Sequence, residues 1–154
     1  MSGKHRKTAG HSKTWTYFEG EWHGGNVPIM GPRTHAAWLC SVVFDGARAF
    51  EGVAPDLDLH CARVNASAAS LLLKPTVTLD TWMGLVADGL ARFDRSAELY
   101  IRPMYWAEEG APGGIRHTRT TINTARDETP RATRERAGTR WNYLASQKLH
   151  PVFR

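Results

Sequence analysis

The chain has 154 residues, of which 42% are hydrophobic and 23% charged, enough to build the core of one ordinary domain. No apolar run is long enough to cross a bilayer, and Met1–Lys13 is basic and polar without a hydrophobic centre, so it is not a secretory signal. The formal charge of +5 would fit a nucleic-acid binder, but residues 1–116 hold 12 Lys+Arg against 12 Asp+Glu, and residues 117–154 hold 8 against 3.

That distribution describes a neutral body with a basic tail. Residues 1–13 are expected to be a disordered leader, and the chain a cytoplasmic protein. Cys40 and Cys61 form no CxxC pair, and the seven histidines show neither HxxxH nor HExxH spacing. Reduced thiols and no metal site are therefore expected.

Trp15-Thr16-Tyr17-Phe18 is aromatic and β-rich, Glu19-Gly20 signals a turn, and Glu21-Trp22-His23 resumes the strand, so a hairpin is expected. Gly24 to Pro32 reads as loop. Ala36 to Phe44 is nearly continuous and apolar, and periodicity alone leaves it either a buried strand or a short buried helix. Gly46 allows a tight turn, and Phe50 to Ala54 reads as a short strand ending at Pro55. Asp58 is a candidate N-cap for a helix from Leu59 to Lys74, stopped by Pro75. Asp80 is a second N-cap, and Trp82, Leu85, Val86, Leu90 and Phe93 give the following helix one apolar face. Glu98 to Trp106 reads as a strand in which Pro103 suits an edge or a bulge. Mixed in this order, the elements indicate an α+β domain, a two-layer α/β sandwich, over residues 14–116.

The composition then changes abruptly. From Thr118 to Arg140 there are seven threonines and six arginines, and Ile122 is the only Val, Ile, Leu, Met or Phe. No helical or strand periodicity is visible there, so residues 117–154 are expected to be a basic, disordered C-terminal tail. Out-of-frame translation of a GC-rich gene is one expected origin of such a stretch; a natural basic tail is the other.

Four segments in fixed order resemble the fold-type IV (class IV) aminotransferases, and the branched-chain amino acid aminotransferases most closely. They are the Thr14–Trp22 hairpin with its Phe-Glu-Gly-Glu-Trp; Phe44-Asp45-Gly46-Ala47-Arg48-Ala49-Phe50-Glu51-Gly52; His60-Cys61-Ala62-Arg63 followed by Ser67-Ala68; and Tyr100-Ile101-Arg102-Pro103. The resemblance implies the small N-terminal domain of those enzymes and pyridoxal phosphate as cofactor. It implies amino acids and 2-oxo acids as substrates, and either a homodimer or pairing with a full-length paralogue.

By the same resemblance Arg63 is expected to bind the cofactor phosphate, which an arginine can grip bidentately. Arg102 is expected to help bind the substrate carboxylate, with a structural ion pair to Glu98 or Glu109 as the bland alternative. Phe50 and Tyr100 are expected to wall the substrate side-chain pocket, with ordinary core packing as their alternative. Asp45 stands where the branched-chain family usually has tyrosine, and Arg48 where it usually has a small or polar residue. Both departures fall at the substrate pocket and leave room for an amine donor other than Leu, Ile or Val.

Transamination needs a lysine that forms a Schiff base with the cofactor and then moves a proton. In the resembling family it lies in a later domain. The lysines here are 4, 7, 13, 74 and 148, and none stands in the family's context, so no catalytic residue is nominated. The expectation is an inactive part of an aminotransferase with weak or no cofactor binding. The alternatives are an interaction module and a nucleic-acid binder using the basic tail.

Overall fold

The computed structural model describes residues 12–111 and 114–126. The expected leader, apart from Ser12 and Lys13, and residues 127–154 of the expected tail lie outside the described residues.

The chain opens with strands β1 (Thr14–Phe18) and β2 (Glu21–Gly24), paired antiparallel as a hairpin. Glu19 and Gly20 have φ of 52° and 88°, the positive values that a two-residue type I′ connection requires at both positions. The ambiguous apolar run holds both alternatives in sequence: helix α1 (His35–Leu39), then strand β3 (Val42–Phe44). Cys40 separates them, left-handed at φ 54°. Strand β4 (Ala47–Ala49) follows. The expected strand at Phe50 is instead the start of a second tight turn. Phe50 and Val53 exchange two backbone hydrogen bonds of 2.9 Å around Glu51 and Gly52, again both at positive φ. The repeated Phe-Glu-Gly thus forms the same local structure twice.

Helix α2 (Leu57–Ser70) starts two residues before the expected Leu59. Asp56 precedes it in a left-handed conformation without a side-chain cap, and Asp58 lies inside the first turn. Leu57, Cys61, Val64 and Ala68 are its buried stripe, so burial of Leu57 sets the start. The helix stops before Lys74 because Leu72 turns left-handed, at φ 60°. The Leu72 N–H donates to the Ala69 carbonyl and the Leu73 N–H to the Ala68 carbonyl, the bond pair of a Schellman end, and Leu73 is buried as its apolar anchor. Helix α3 (Leu79–Leu90) is capped by the Thr78 hydroxyl, which accepts from the Thr81 N–H, rather than by Asp80. Its expected apolar face is present in Trp82 and Val86, which are buried, with Leu85 and Leu90 packed on the same core; Phe93 is buried there too but lies past the helix end.

Strand β5 (Leu99–Ala111) and strand β6 (Gly114–Arg126) form the long central pair. The sheet order is β2-β1-β6-β5-β3, and β4 also pairs with β5, further along the same side as β3. The expected disorder of Thr118–Arg126 is therefore corrected: this stretch is an interior strand between β1 and β5. Threonine is β-branched and suits a pleated strand, and its hydroxyl finds a partner inside the sheet. Thr120 donates to the Met104 carbonyl at 3.0 Å and Thr121 to the Tyr17 carbonyl at 2.5 Å. Ile122, fully buried, joins the main core.

Register assigns the faces. Leu99, Ile101, Pro103 and Tyr105 of β5 point to the side covered by α2 and α3, where the main core lies. Tyr100, Arg102, Met104 and Trp106 point to the other side, where α1 sets Ala36 against Met104 and Trp106. The architecture is the expected mixed α/β one.

Two substitutions test this account. Ile122→Ala should lower unfolding stability by about 2–5 kcal/mol in urea titration, as for any fully buried isoleucine; an unchanged midpoint would show that β6 is not part of the core. Leu72 is 79% exposed and held left-handed, so Leu72→Gly should raise stability by roughly 1 kcal/mol.

Candidate functional site

Pro103 has no N–H to donate. Its carbonyl accepts from the Asp45 N–H at 3.1 Å, so the side of β5 on which the donor is missing faces the interval between the end of β3 and the start of β4. The expected edge or bulge position is thus an interior strand beside a local interruption. Asp45 and Gly46 fill that interruption. Strand alternation sends Asp45 toward the α2 face and places Gly46 on the opposite one.

On the α2 face, Asp45 meets Arg63 and His60. The Arg63 Nε donates to Asp45 Oδ2 at 2.5 Å and Nη2 to Oδ1 at 2.9 Å, a fork on one carboxylate. The His60 Nδ1 lies 2.7 Å from Asp45 Oδ1 and 2.8 Å from Arg63 Nη2. Arg63 is the seventh residue of α2, not in its first turn. Its own N–H is inside the helix ladder, so the guanidinium and not the helix end is what it offers. Helical side chains lean toward the N-terminus, which carries Arg63 back over His60.

Burial pushes the Asp45 carboxyl up, but hydrogen bonds and charge from Arg63 and His60 outweigh it and hold it below its ordinary 3.8. Asp45 in turn raises the pKa of Arg63. Burial, then the charges of Asp45 and Asp58, lift the neighbouring Cys61 thiol to about 11, so it stays protonated and un-nucleophilic at neutral pH.

A buried polar network fixes α2 where Arg63 needs it. The Asn65 Oδ1 accepts from Trp82 Nε1 and from the Tyr105 hydroxyl, each at 3.0 Å, while Asn65 Nδ2 donates to the Val77 carbonyl at 3.0 Å. Helix α2, helix α3 and strand β5 are tied together two residues from the arginine.

On the opposite face lie the other nominated residues. Tyr100 leans over Gly46 so closely that a β-carbon there would stand 2.6 Å from its hydroxyl oxygen, which is why this position carries no side chain. The Arg102 guanidinium lies 5.8 Å from the centre of the Phe44 ring, and its Nε is buried without a hydrogen-bond partner among the described residues. Phe44 and Phe50 are exposed beside them. Phe50, Tyr100 and Arg102 thus share one side of the sheet, and Arg63 approaches the same interruption from the other. Sequence reasoning quoted His60 within a motif and noted Asp45 only as a departure; their junction with Arg63 was missed. The signal available was a lone acidic residue before the Gly46 turn, which nothing in sequence spacing connects to residue 63.

An antiparallel sheet with α2 and α3 on one face and α1 on the other thus carries, beside Pro103, an exposed arginine forked onto a largely covered carboxylate. The family model for class IV aminotransferases matches residues 42–152, and the chain belongs to that family. Among solved structures, an aminotransferase from Brucella abortus bound to PLP is 44% identical, with a TM-score of 0.72 over 77% of this chain and 44% of that one. The Escherichia coli branched-chain amino acid aminotransferase is 19% identical with a TM-score of 0.62, over 73% of this chain and 40% of that one. The branched-chain aminotransferase of Thermoproteus uzoniensis, solved with norvaline, is 20% identical with a TM-score of 0.61, over 75% and 40%. The last two share the fold. The chain spans less than half the length of each of these relatives. No curated protein matches it.

The Asp45 linkage has a definite sign. A carboxyl lowered in the folded state adds stability above its unfolded pKa and loses it as pH falls through the folded value. The urea midpoint should therefore drop as pH falls below about 4, the ordinary carboxylate range. Asp45→Asn should show a shallower drop over the same interval; an identical acid limb in both proteins would remove the Asp45 junction from the account.

Proposed function

We propose that these residues form the N-terminal part of a pyridoxal-phosphate aminotransferase of the branched-chain type, with Arg63 for the cofactor phosphate and Phe50, Tyr100 and Arg102 for the substrate. The observation that carries the reading is Arg63. It is a cation 57% exposed on a helix locked to the sheet, inside a chain of the class IV family. A phosphate monoester fits such a donor, since a planar guanidinium offers paired N–H groups to paired oxygens.

Bound there, the cofactor would supply the electron sink for amino-group transfer. The chain's own side chains do the rest. Arg63 binds and orients the phosphate. Arg102 has a buried Nε with no partner among the described residues, against an aromatic ring, and so favours a carboxylate there. Phe50, with 42% of its surface exposed, and Tyr100 provide apolar contact for an amino acid or 2-oxo acid side chain. Arg48, paired across the sheet with Tyr100 in place of the family's usual small or polar residue, and Asp45 on the α2 side in place of its usual tyrosine allow a donor other than Leu, Ile or Val.

These 154 residues do not transaminate by themselves, because the proton-shuttling amine is not among them. Lys13 is committed at the far side, donating to the Arg92 carbonyl at 3.2 Å beneath the Phe93 ring. Lys74 follows the end of α2. Lysines 4, 7 and 148 lie outside the described residues. Pairing with a second copy or a longer paralogue is part of the same proposal, supported by the exposed Trp38, Leu39, Phe44 and Val53.

The test is equilibrium binding of pyridoxal phosphate and of pyridoxal to the purified chain, followed by borohydride reduction and peptide mass spectrometry. The expected result is weak binding that depends on the phosphate, is lost in Arg63→Gln, and leaves no lysine modified. A specific phosphopyridoxyl adduct on any one lysine would sink the inactivity claim, and equal binding by Arg63→Gln would sink the phosphate assignment.

A further inference from the structure

We infer that Asp45 is the resident anion of the Arg63 site, so that a phosphate ester binds there only by taking the guanidinium from it. This rests on the reading of Arg63 as the phosphate-binding residue and adds the group that sets its affinity.

The geometry is that of an occupied anion site. The carboxylate takes the Nε–Nη2 edge of Arg63 with two short bonds, the same edge-on fork a phosphate would use. The two partners are not equally anchored. The Asp45 side chain is only 10% exposed, and its backbone N–H is fixed on the Pro103 carbonyl. Arg63 is 57% exposed at the end of a long, flexible side chain. When the pair separates, the arginine is the partner that moves, swinging outward to where a ligand arrives.

Charge points the same way. The carboxylate cancels the guanidinium, leaving a dianion little net attraction. Among the described residues, the other charged or titratable groups around the pair are His60 at 2.7 Å, the Cys61 thiol, on which Asp45 acts, and Asp58, which acts on Cys61 as well. Asp58 adds no positive charge. The chain therefore carries a phosphate-binding arginine whose charge is already spent internally, and ligand affinity reports the difference between two anions. An apolar or hydroxylic residue in place of Asp45 would leave the same arginine uncompeted. Asp45 is a specificity-determining residue that favours a doubly charged phosphate monoester over a singly charged carboxylate, since the latter gains nothing by the exchange.

The experiment is a titration of the full chain with inorganic phosphate, followed by calorimetry, for the wild type, Asp45→Asn, Asp45→Ser, Arg63→Gln and Asp45→Asn/Arg63→Gln. Removing an exposed ion pair's anion should tighten phosphate binding by about fivefold in both single Asp45 variants. The gain should vanish in the double variant. In the wild type, the carboxyl carbon resonance of Asp45 should shift as phosphate saturates. Binding by the Asp45 variants equal to or weaker than wild type, with Arg63→Gln weaker still, overturns this inference alone and makes Asp45 a holder of the arginine. Arg63→Gln binding as well as wild type overturns the underlying phosphate assignment instead. If the Asp45 variants do not fold, the wild-type resonance decides, and a carboxyl signal unmoved at saturation overturns the proposal.

Discussion

A proline inside an interior strand leaves one position where the neighbouring strand can receive no hydrogen bond. At residue 103 that position faces the stretch where β3 stops and β4 has not begun. The backbone there is held from one side only, by the Asp45 N–H on the Pro103 carbonyl. The register is unbroken across it, Phe44 facing Met104 and Ala47 facing Ile101, so Asp45 and Gly46 keep strand alternation opposite Pro103 and Arg102. That alternation sets a carboxylate on the helix side and a bare glycine under Tyr100 on the other. Each nominated residue is placed relative to this break, so the proline is a constraint on the site as much as on the sheet.

What the break offers is useful only if α2 is held still above it. Apolar burial of Leu57, Cys61, Val64 and Ala68 fixes the helix against the sheet but is non-directional. Direction comes from Asn65, whose amide is satisfied by an indole, a phenol and a backbone carbonyl belonging to three different segments. A network with every partner in place is rigid, and one with a partner missing is costly in a low-dielectric interior. The arginine two residues earlier therefore starts from a fixed Cα, and its reach is governed by its own side-chain torsions and by the anion it pairs with.

Much of the fold was legible because local rules suffice for it. The Phe18-Glu19-Gly20 turn and the amphipathic α3 follow from glycine chemistry and 3.6-residue spacing, whereas the same tripeptide at Phe50 was read as a strand and is a turn. The helix boundaries of α2 were missed by a few residues. Its start is set by burial of Leu57 and its end by a leucine in a conformation that leucine seldom adopts, and neither is a capping signal in the sequence. The larger miss was β6. Hydropathy marks threonine as polar, yet in the sheet Thr121 and Thr124 are as buried as Ile122. The Thr121 hydroxyl is satisfied by the Tyr17 carbonyl, and Thr124 is buried with no hydroxyl partner among the described residues, so an apolar/polar count does not see this strand. At the site, the motif residues Arg63, Tyr100 and Arg102 were nominated by resemblance to known enzymes. Their arrangement on two faces of one break was not, because it depends on strand register, and the Asp45–Arg63 junction joins residues 18 apart with no periodic relation.

Gripping a phosphate and forming a covalent bond to an aldehyde are separable tasks. On the proposed reading, Arg63, Asp45 and His60 serve only the first, and they deal only with charge. In a complete site, covalent attachment would add so much binding energy that a change in phosphate affinity would be hard to resolve, since the anchored ligand is held at high effective concentration whatever the arginine does. On that reading the phosphate contact is the main tie in these residues taken alone. The balance between the internal carboxylate and an external dianion is then directly visible in binding, with a change of one charge at residue 45 large relative to the whole.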